Sequence, residues 1–160
     1  AWYDILTLEE STNRESFDDV QASHQLITQL IDAQIEQGLS PNQIVLAGFS
    51  QGGAMALHTG LRYPASLGGI MALSCYLVAP EKIARESHPE NSATPILMCH
   101  GSHDSVVPVS RGRAAHTLLS EQNEDRDIQW NDFPMDHEVC AQEIEVIQRW
   151  LHERFGIFDS

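Results

Sequence analysis

The stretch Gly48-Phe49-Ser50-Gln51-Gly52 lies between a short apolar run and a run with helical spacing, and no other feature constrains this chain as much. The run before it, Ile44-Val45-Leu46-Ala47-Gly48-Phe49, is rich in apolar and β-branched residues and predicts a buried strand. The run after it predicts a helix from Gln51 toward Arg62, stopped by Tyr63-Pro64. Ser50 then falls on a tight strand-to-helix turn that projects its hydroxyl. A residue in such a strained backbone needs neighbours that bring no side chain into the turn, and Gly48 and Gly52 are expected to meet that need, with Gly53 adding clearance. The five-residue pattern also arises by chance, so a catalytic reading requires an acid and then a histidine further along the chain.

The remaining pattern supplies places for both. A helix is predicted over 16–37, with Val20, Ile27, Leu30, Ile31 and Ile35 on one face, Ser16 as its cap and Gly38 past its end. Strands are predicted over 67–74, 95–100 and 128–133, the last alternating apolar with polar residues as an edge strand does. Further helices are predicted over 109–123 and 139–155, the latter with Val139, Ile144, Ile147, Trp150, Leu151 and Phe155 in its stripe. The segment 80–94 reads as a polar loop with at most a short helical stretch, and Trp2-Tyr3-Asp4-Ile5-Leu6 is too apolar for a free tail. Buried strands alternating with helices over short connections predict an α/β domain spanning 1–160, its sheet mostly parallel with helices on both faces. In such a sheet, functional residues collect at the carboxyl ends of the strands.

Three residues do so here. Asp104 follows the 95–100 strand in His100-Gly101-Ser102-His103-Asp104-Ser105-Val106-Val107-Pro108, and His137 follows the last strand in Phe133-Pro134-Met135-Asp136-His137. A serine hydroxyl is a weak nucleophile at neutral pH, and a histidine that takes its proton and returns it to the leaving group removes that obstacle. The aspartate holds the imidazole in the required tautomer and stabilises the imidazolium. Taken singly, Asp104 reads equally as a turn aspartate, and His137 as a cap or a surface histidine; the order Ser50, Asp104, His137 favours catalysis. His100, His103 and Asp104 are too few and too local for a tetrahedral or octahedral metal site, so neither metal nor cofactor is expected. His24, His58, His88, His116 and His152 read as surface positions, and Glu9-Glu10 and Asp18-Asp19 as solvated acidic faces.

Composition narrows the partners. The 160 residues carry 23 acidic against 9 basic side chains, a formal net charge of -14, which repels nucleic acid and anionic membrane surfaces. No apolar run is long enough to span a bilayer, and no lipidation motif or secretory leader is legible. Cys75, Cys99 and Cys140 are irregularly spaced, each in an apolar strand or on a helix face, and read as reduced thiols of a cytoplasmic protein.

These residues together resemble the phospholipase/carboxylesterase family of small carboxylesterases and acyl-protein thioesterases. The likeness is carried by Gly48 to Ala54, by Leu67-Gly68-Gly69-Ile70 with Ala72-Leu73-Ser74, by His100-Gly101 with Asp104 and Val106-Val107-Pro108, and by Met135, His137-Glu138-Val139 and Glu143-Ile144. Trp2-Tyr3-Asp4-Ile5 is similar to the family's Trp-aromatic-Asp segment. The resemblance implies an α/β-hydrolase fold and a Ser50-Asp104-His137 triad, with the Gln51 backbone amide as one oxyanion donor. It further implies a small acyl ester substrate held in an apolar pocket, for which Tyr76, Leu77, Val107 and Met135 are the candidates. Acyl-protein thioesters and lysophospholipids are alternative substrates.

Two departures from the family carry expectations. Family members have, amino-terminal to this region, a Leu-His-Gly-Leu-Gly loop that supplies the second oxyanion donor, and no such motif precedes Trp2. The chain is therefore expected to be an N-terminally truncated version of the fold, about its carboxyl-terminal three quarters, with a bare edge beside the elbow strand. A homodimer or a complementing amino-terminal segment would cover that edge, and an inactive fragment or interaction module is the rival to an esterase. Asp136 stands where glycine is expected before the histidine, and a carboxylate there is expected to raise the basicity of His137.

Overall fold

The computed structural model describes residues 1–2 and 17–156. Four strands, β1 (Val45–Phe49), β2 (Gly69–Leu73), β3 (Ile96–Gly101) and β4 (Ile128–Phe133), form one sheet in sequential order, and every pairing is parallel. The helices are α1 (Phe17–Glu36), α2 (Gln51–Gly60), the single-turn α3 (Ile83–Glu86), α4 (Val109–Gln122) and α5 (Ala141–Phe155). This is the α/β sheet that the sequence predicts. Segment 80–94 holds only α3 and two short 3₁₀ turns.

All residues of β2 and β3 are buried, whereas β1 and β4 are only partly so. Their places in the sheet explain the difference, because the inner strands are covered on both faces and both edges. β4 sits at an edge as its alternation predicts. β1, predicted as a buried strand with a bare edge beside it, pairs only with β2 among the described residues, and its other edge is open.

Two apolar layers sandwich the sheet. On one face, Val20, Ile27 and Ile31 of α1, residues 54–57 of α2, and Ala115 and Leu119 of α4 pack with Ile70, Ala72, Ile96 and Met98. On the other, Met71, Leu73, Leu97 and Cys99 pack against Trp150, Val146, Ile147 and Leu151 of α5.

Two helix faces differ from expectation. Leu30 of α1 is 62% exposed, because α1 leans on α2 and presents that side to the open edge of β1. Val139 and Ile144 are exposed as well, since Glu143 and not Ile144 turns inward from the first turn of α5. Gly38 follows α1 in the left-handed region at φ 104°, as a residue past a helix end does. The Ser16 cap and the Glu9-Glu10 cluster lie outside the described residues.

Along the open edge of β1 runs a cavity of about 430 Å³, lined chiefly by Trp2, Leu30, Ile31, Leu46 and Phe49. Trp2 reaches the elbow: its amide donates to Gln51 Oε1 at 3.2 Å, and its carbonyl accepts from the Ser23 hydroxyl. No described helix is long and apolar enough to cross a membrane.

Candidate active site

Ser50 has φ 56° and ψ −123°, a conformation that costs a non-glycine residue about 1–3 kcal/mol. Its surroundings hold it there. Its amide donates to Leu73 O at 2.8 Å, extending the β1–β2 ladder by one rung, while its carbonyl accepts from Ala54 N at 3.1 Å and opens α2. A Cβ on Gly48 would stand 2.1 Å from the carbonyl carbon of Gly52, and one on Gly53 would stand 2.7 Å from Gly48 O and 2.9 Å from Cys75 Cβ. One on Gly52 would meet only the Trp2 indole nitrogen, at an ordinary 3.5 Å. The clearance expected at Gly48 and Gly52 is thus needed at Gly48 and Gly53. Residue 52 contributes the main chain against which Gly48 packs.

Asp104 is buried in the turn after β3. Its Oδ1 accepts from the amides of Val106 at 2.9 Å and Val107 at 2.7 Å. Its Oδ2 lies 2.7 Å from His137 Nδ1. One carboxylate therefore serves as the turn aspartate and as the histidine's partner, two roles that the sequence presents as alternatives. Because a carboxylate can only accept, Nδ1 carries the proton, and His137 Nε2 is left to accept from Ser50 Oγ at 3.0 Å. Phe49 packs against the imidazole with ring centroids 4.6 Å apart. Ser50, His137 and Asp104 thus form one hydrogen-bonded line across three strand ends, with the reach that general-base catalysis would need.

His100 stands beneath this line. It is buried at the end of β3, its Nε2 donates to Val107 O at 2.8 Å, and it lies 3.5 Å from Asp104 Oδ2. The residue supports the acid turn from below, and the sequence shows it only as the last position of a strand.

Gln51 is the first residue of α2, where amides have no partner within the helix and the positive end of the helix dipole lies. The four pocket candidates are all buried. Tyr76, Leu77 and Val107 belong to the α1/α2 core layer, Arg111 lies over the Tyr76 ring at 3.9 Å, and the Met135 carbonyl accepts from His103 N at 3.1 Å. None of them lines the cavity beside β1.

The hydrogen bonds of Asp136 go to the loops around the imidazole and not to its ring nitrogens. Its Oδ1 accepts from Ser105 N at 2.7 Å, Ser105 Oγ at 2.8 Å and the backbone amide of His137 at 2.8 Å. Those bonds, those to Ser105 first, hold its carboxyl below the usual range.

Two buried ionisable groups escape a reading by hydrophobic period. His58, expected at the surface, is 5% exposed within α2, and burial, reinforced by the Arg62 charge, lowers its pKa to about 3. Glu143 is fully buried, and burial pushes its carboxyl up to about 7. The Cys140 amide partly offsets that rise, although neither oxygen of Glu143 has a well-formed hydrogen bond among the described residues.

A parallel sheet with helices on both faces, carrying serine, aspartate and histidine in that chain order beyond its strand ends, is an α/β-hydrolase fold. The phospholipase/carboxylesterase family model matches residues 1–154, and the chain belongs to that family. It is 38% identical to acyl-protein thioesterase 1 of Neurospora crassa, a match covering 96% of this chain and 65% of that protein. With acyl-protein thioesterase 1 of Gibberella zeae the identity is 34%, over 96% of this chain and 68% of the relative. The chain thus spans about two thirds of the length of these curated relatives. Among solved structures, Arabidopsis thaliana SOBER1 superposes with a TM-score of 0.86 at 29% identity, covering 96% of this chain and 73% of that one. Esterase PE8 superposes with a TM-score of 0.82 at 30% identity, over 96% and 70%.

Proposed function

We propose that the chain carries the catalytic face of a serine esterase that cleaves carboxylic esters of short or medium acyl chains through an acyl-enzyme on Ser50. The observation that supports this most is the unbroken line Ser50 Oγ, His137 Nε2, His137 Nδ1, Asp104 Oδ2, with steps of 3.0 Å and 2.7 Å. In this reading His137 takes the Ser50 proton as the hydroxyl attacks the acyl carbon, and returns it to the departing alcohol. It then activates the water that releases the acid. Asp104 keeps the proton on Nδ1 throughout and stabilises the imidazolium. The amide of Gln51 is assigned to the oxyanion, a type of contact whose loss typically costs about 3–4 kcal/mol of transition-state stabilisation.

Tyr76, Leu77, Val107 and Met135 remain the proposed acyl-contacting residues. The names of the fungal relatives add a thioester of an acylated protein as a second substrate, since the same attack on an acyl carbon serves a thiolate leaving group. A cytoplasmic setting fits three free cysteines, two of them buried.

Hydrolysis of a short-chain p-nitrophenyl ester tests the proposal. Turnover by the chain is expected to fall by at least about 10³-fold in Ser50→Ala and by orders of magnitude in Asp104→Asn, with the fold retained. Retention of most of the activity in Ser50→Ala would refute the assignment.

A further inference from the structure

The acid turn and the histidine loop must keep a fixed separation, because a histidine only about 1 Å out of place costs a reaction of this kind up to about 10²-fold. Backbone bonds set that separation on the amino side of Asp104, where Ser102 N donates to Phe133 O at 2.8 Å and His103 N donates to Met135 O at 3.1 Å. On the carboxyl side the chain turns away through Ser105, and its amides at 106 and 107 fold back on Asp104 itself. Asp136 supplies the tie there. Its Oδ1 gathers the amide and hydroxyl of Ser105, the residue after the acid, and the amide of His137, the base. Oδ2 stands 3.2 Å from the same hydroxyl. A single exposed carboxylate, 31 positions along the sequence from Ser105, thus joins that immediate neighbour of Asp104 to the main chain of His137. The two loops meet closely at this point: a Cβ on Gly101 would stand 2.3 Å from Asp136 O, so the loops are pressed together as well as bonded.

We propose that Asp136 is a positioning residue that locks the acid turn to the histidine loop and so sets the Asp104 Oδ2 to His137 Nδ1 contact. The inference rests on the triad reading given above, and it is separate from the expectation that this carboxylate acts through its charge on the imidazole. Position and charge make different demands on the side chain. An asparagine keeps an oxygen that can accept from the two amides, those of Ser105 and His137, and discards the charge, whereas alanine discards both.

The test compares Asp136→Ala, Asp136→Asn and Ser105→Ala with the parent, reading ester kcat and KM and the proton resonance of His137 Nδ1–H, which needs no substrate. Asp136→Ala is expected to lose about tenfold in kcat with KM little changed, and to shift or broaden that resonance. Asp136→Asn should restore both, and Ser105→Ala should fall between. Parent-like kcat and an unmoved resonance in Asp136→Ala would overturn the inference. So would an Asp136→Asn as impaired as Asp136→Ala with a displaced pH-rate midpoint, which is the mark of a charge effect. If the parent shows no Ser50-dependent turnover, the triad reading fails, and the resonance still decides whether Asp136 holds the histidine. Should Asp136→Ala not fold, Asp136→Asn and Ser105→Ala carry the comparison.

Discussion

The strained turn at Ser50 depends on two absent side chains that differ from the pair a motif would nominate. Gly48 and Gly53 face backbone and Cys75 at distances no Cβ survives, while Gly52 faces only an indole edge. Gly48→Ala and Gly53→Ala are therefore expected to cost several kcal/mol or to abolish folding, and Gly52→Ala about 1 kcal/mol or less, read as the midpoints of denaturant unfolding. Equal losses at 48 and 52 would contradict this packing. Ser50, Asp104 and His137 were legible in the sequence because each lies next to a strand end in a fixed chain order. His100 was not, since it looks like one more buried strand residue, and Asp136 was legible only as a departure from glycine beside the histidine, because its bonds to Ser105 cross 31 positions that no local pattern links.

Helices carry two of the groups whose ionisation the fold opposes. His58 of α2 packs beside His24 of α1, with ring centroids 5.5 Å apart, and Arg62, Lys82 and Glu86 act on it from nearby. The unfolded chain takes up this proton near 6.5 and the folded one near 3, so stability falls as pH drops through that window. Glu143 of α5 has the opposite sign. The unfolded carboxyl releases its proton near 4.5 and the folded one near 7, so stability is lost as pH rises between them. Glu143→Gln is expected to gain on the parent in melting temperature by a few degrees between about pH 5 and pH 8. A difference that stays constant with pH would contradict the burial of a protonated acid. Element type and order were legible from period and punctuation, as β2, β3 and the α5 core show. Most of the inward faces of α1 and α5 was legible too, but not their margins, because Leu30 is left outside by the open sheet edge and a carboxyl occupies a core position that the apolar stripe assigned to Ile144.

At the scale of the molecule, the open edge of β1 is the feature with consequences. Among the described residues the outer edge of β1 has no partner strand and borders an apolar cavity of about 430 Å³, and a parallel sheet is stable in water only when its apolar surface is covered. Sedimentation of the isolated chain is expected to show dimers or larger species, and a single monomer boundary across concentrations would contradict that. The net charge of -14 opposes such association at long range, so added salt should strengthen it. The open edge lies beside the elbow, where the Trp2 indole nitrogen faces Gly52 and the Trp2 amide donates to Gln51 Oε1. Activation of Ser50 by His137 is tested most directly by treating the folded chain with a fluorophosphonate and mapping the modified peptide by mass spectrometry. One adduct per chain is expected on Ser50, lost in Ser50→Ala and strongly slowed in His137→Ala; a folded chain left unmodified, or modified elsewhere at the same rate in both variants, would refute it.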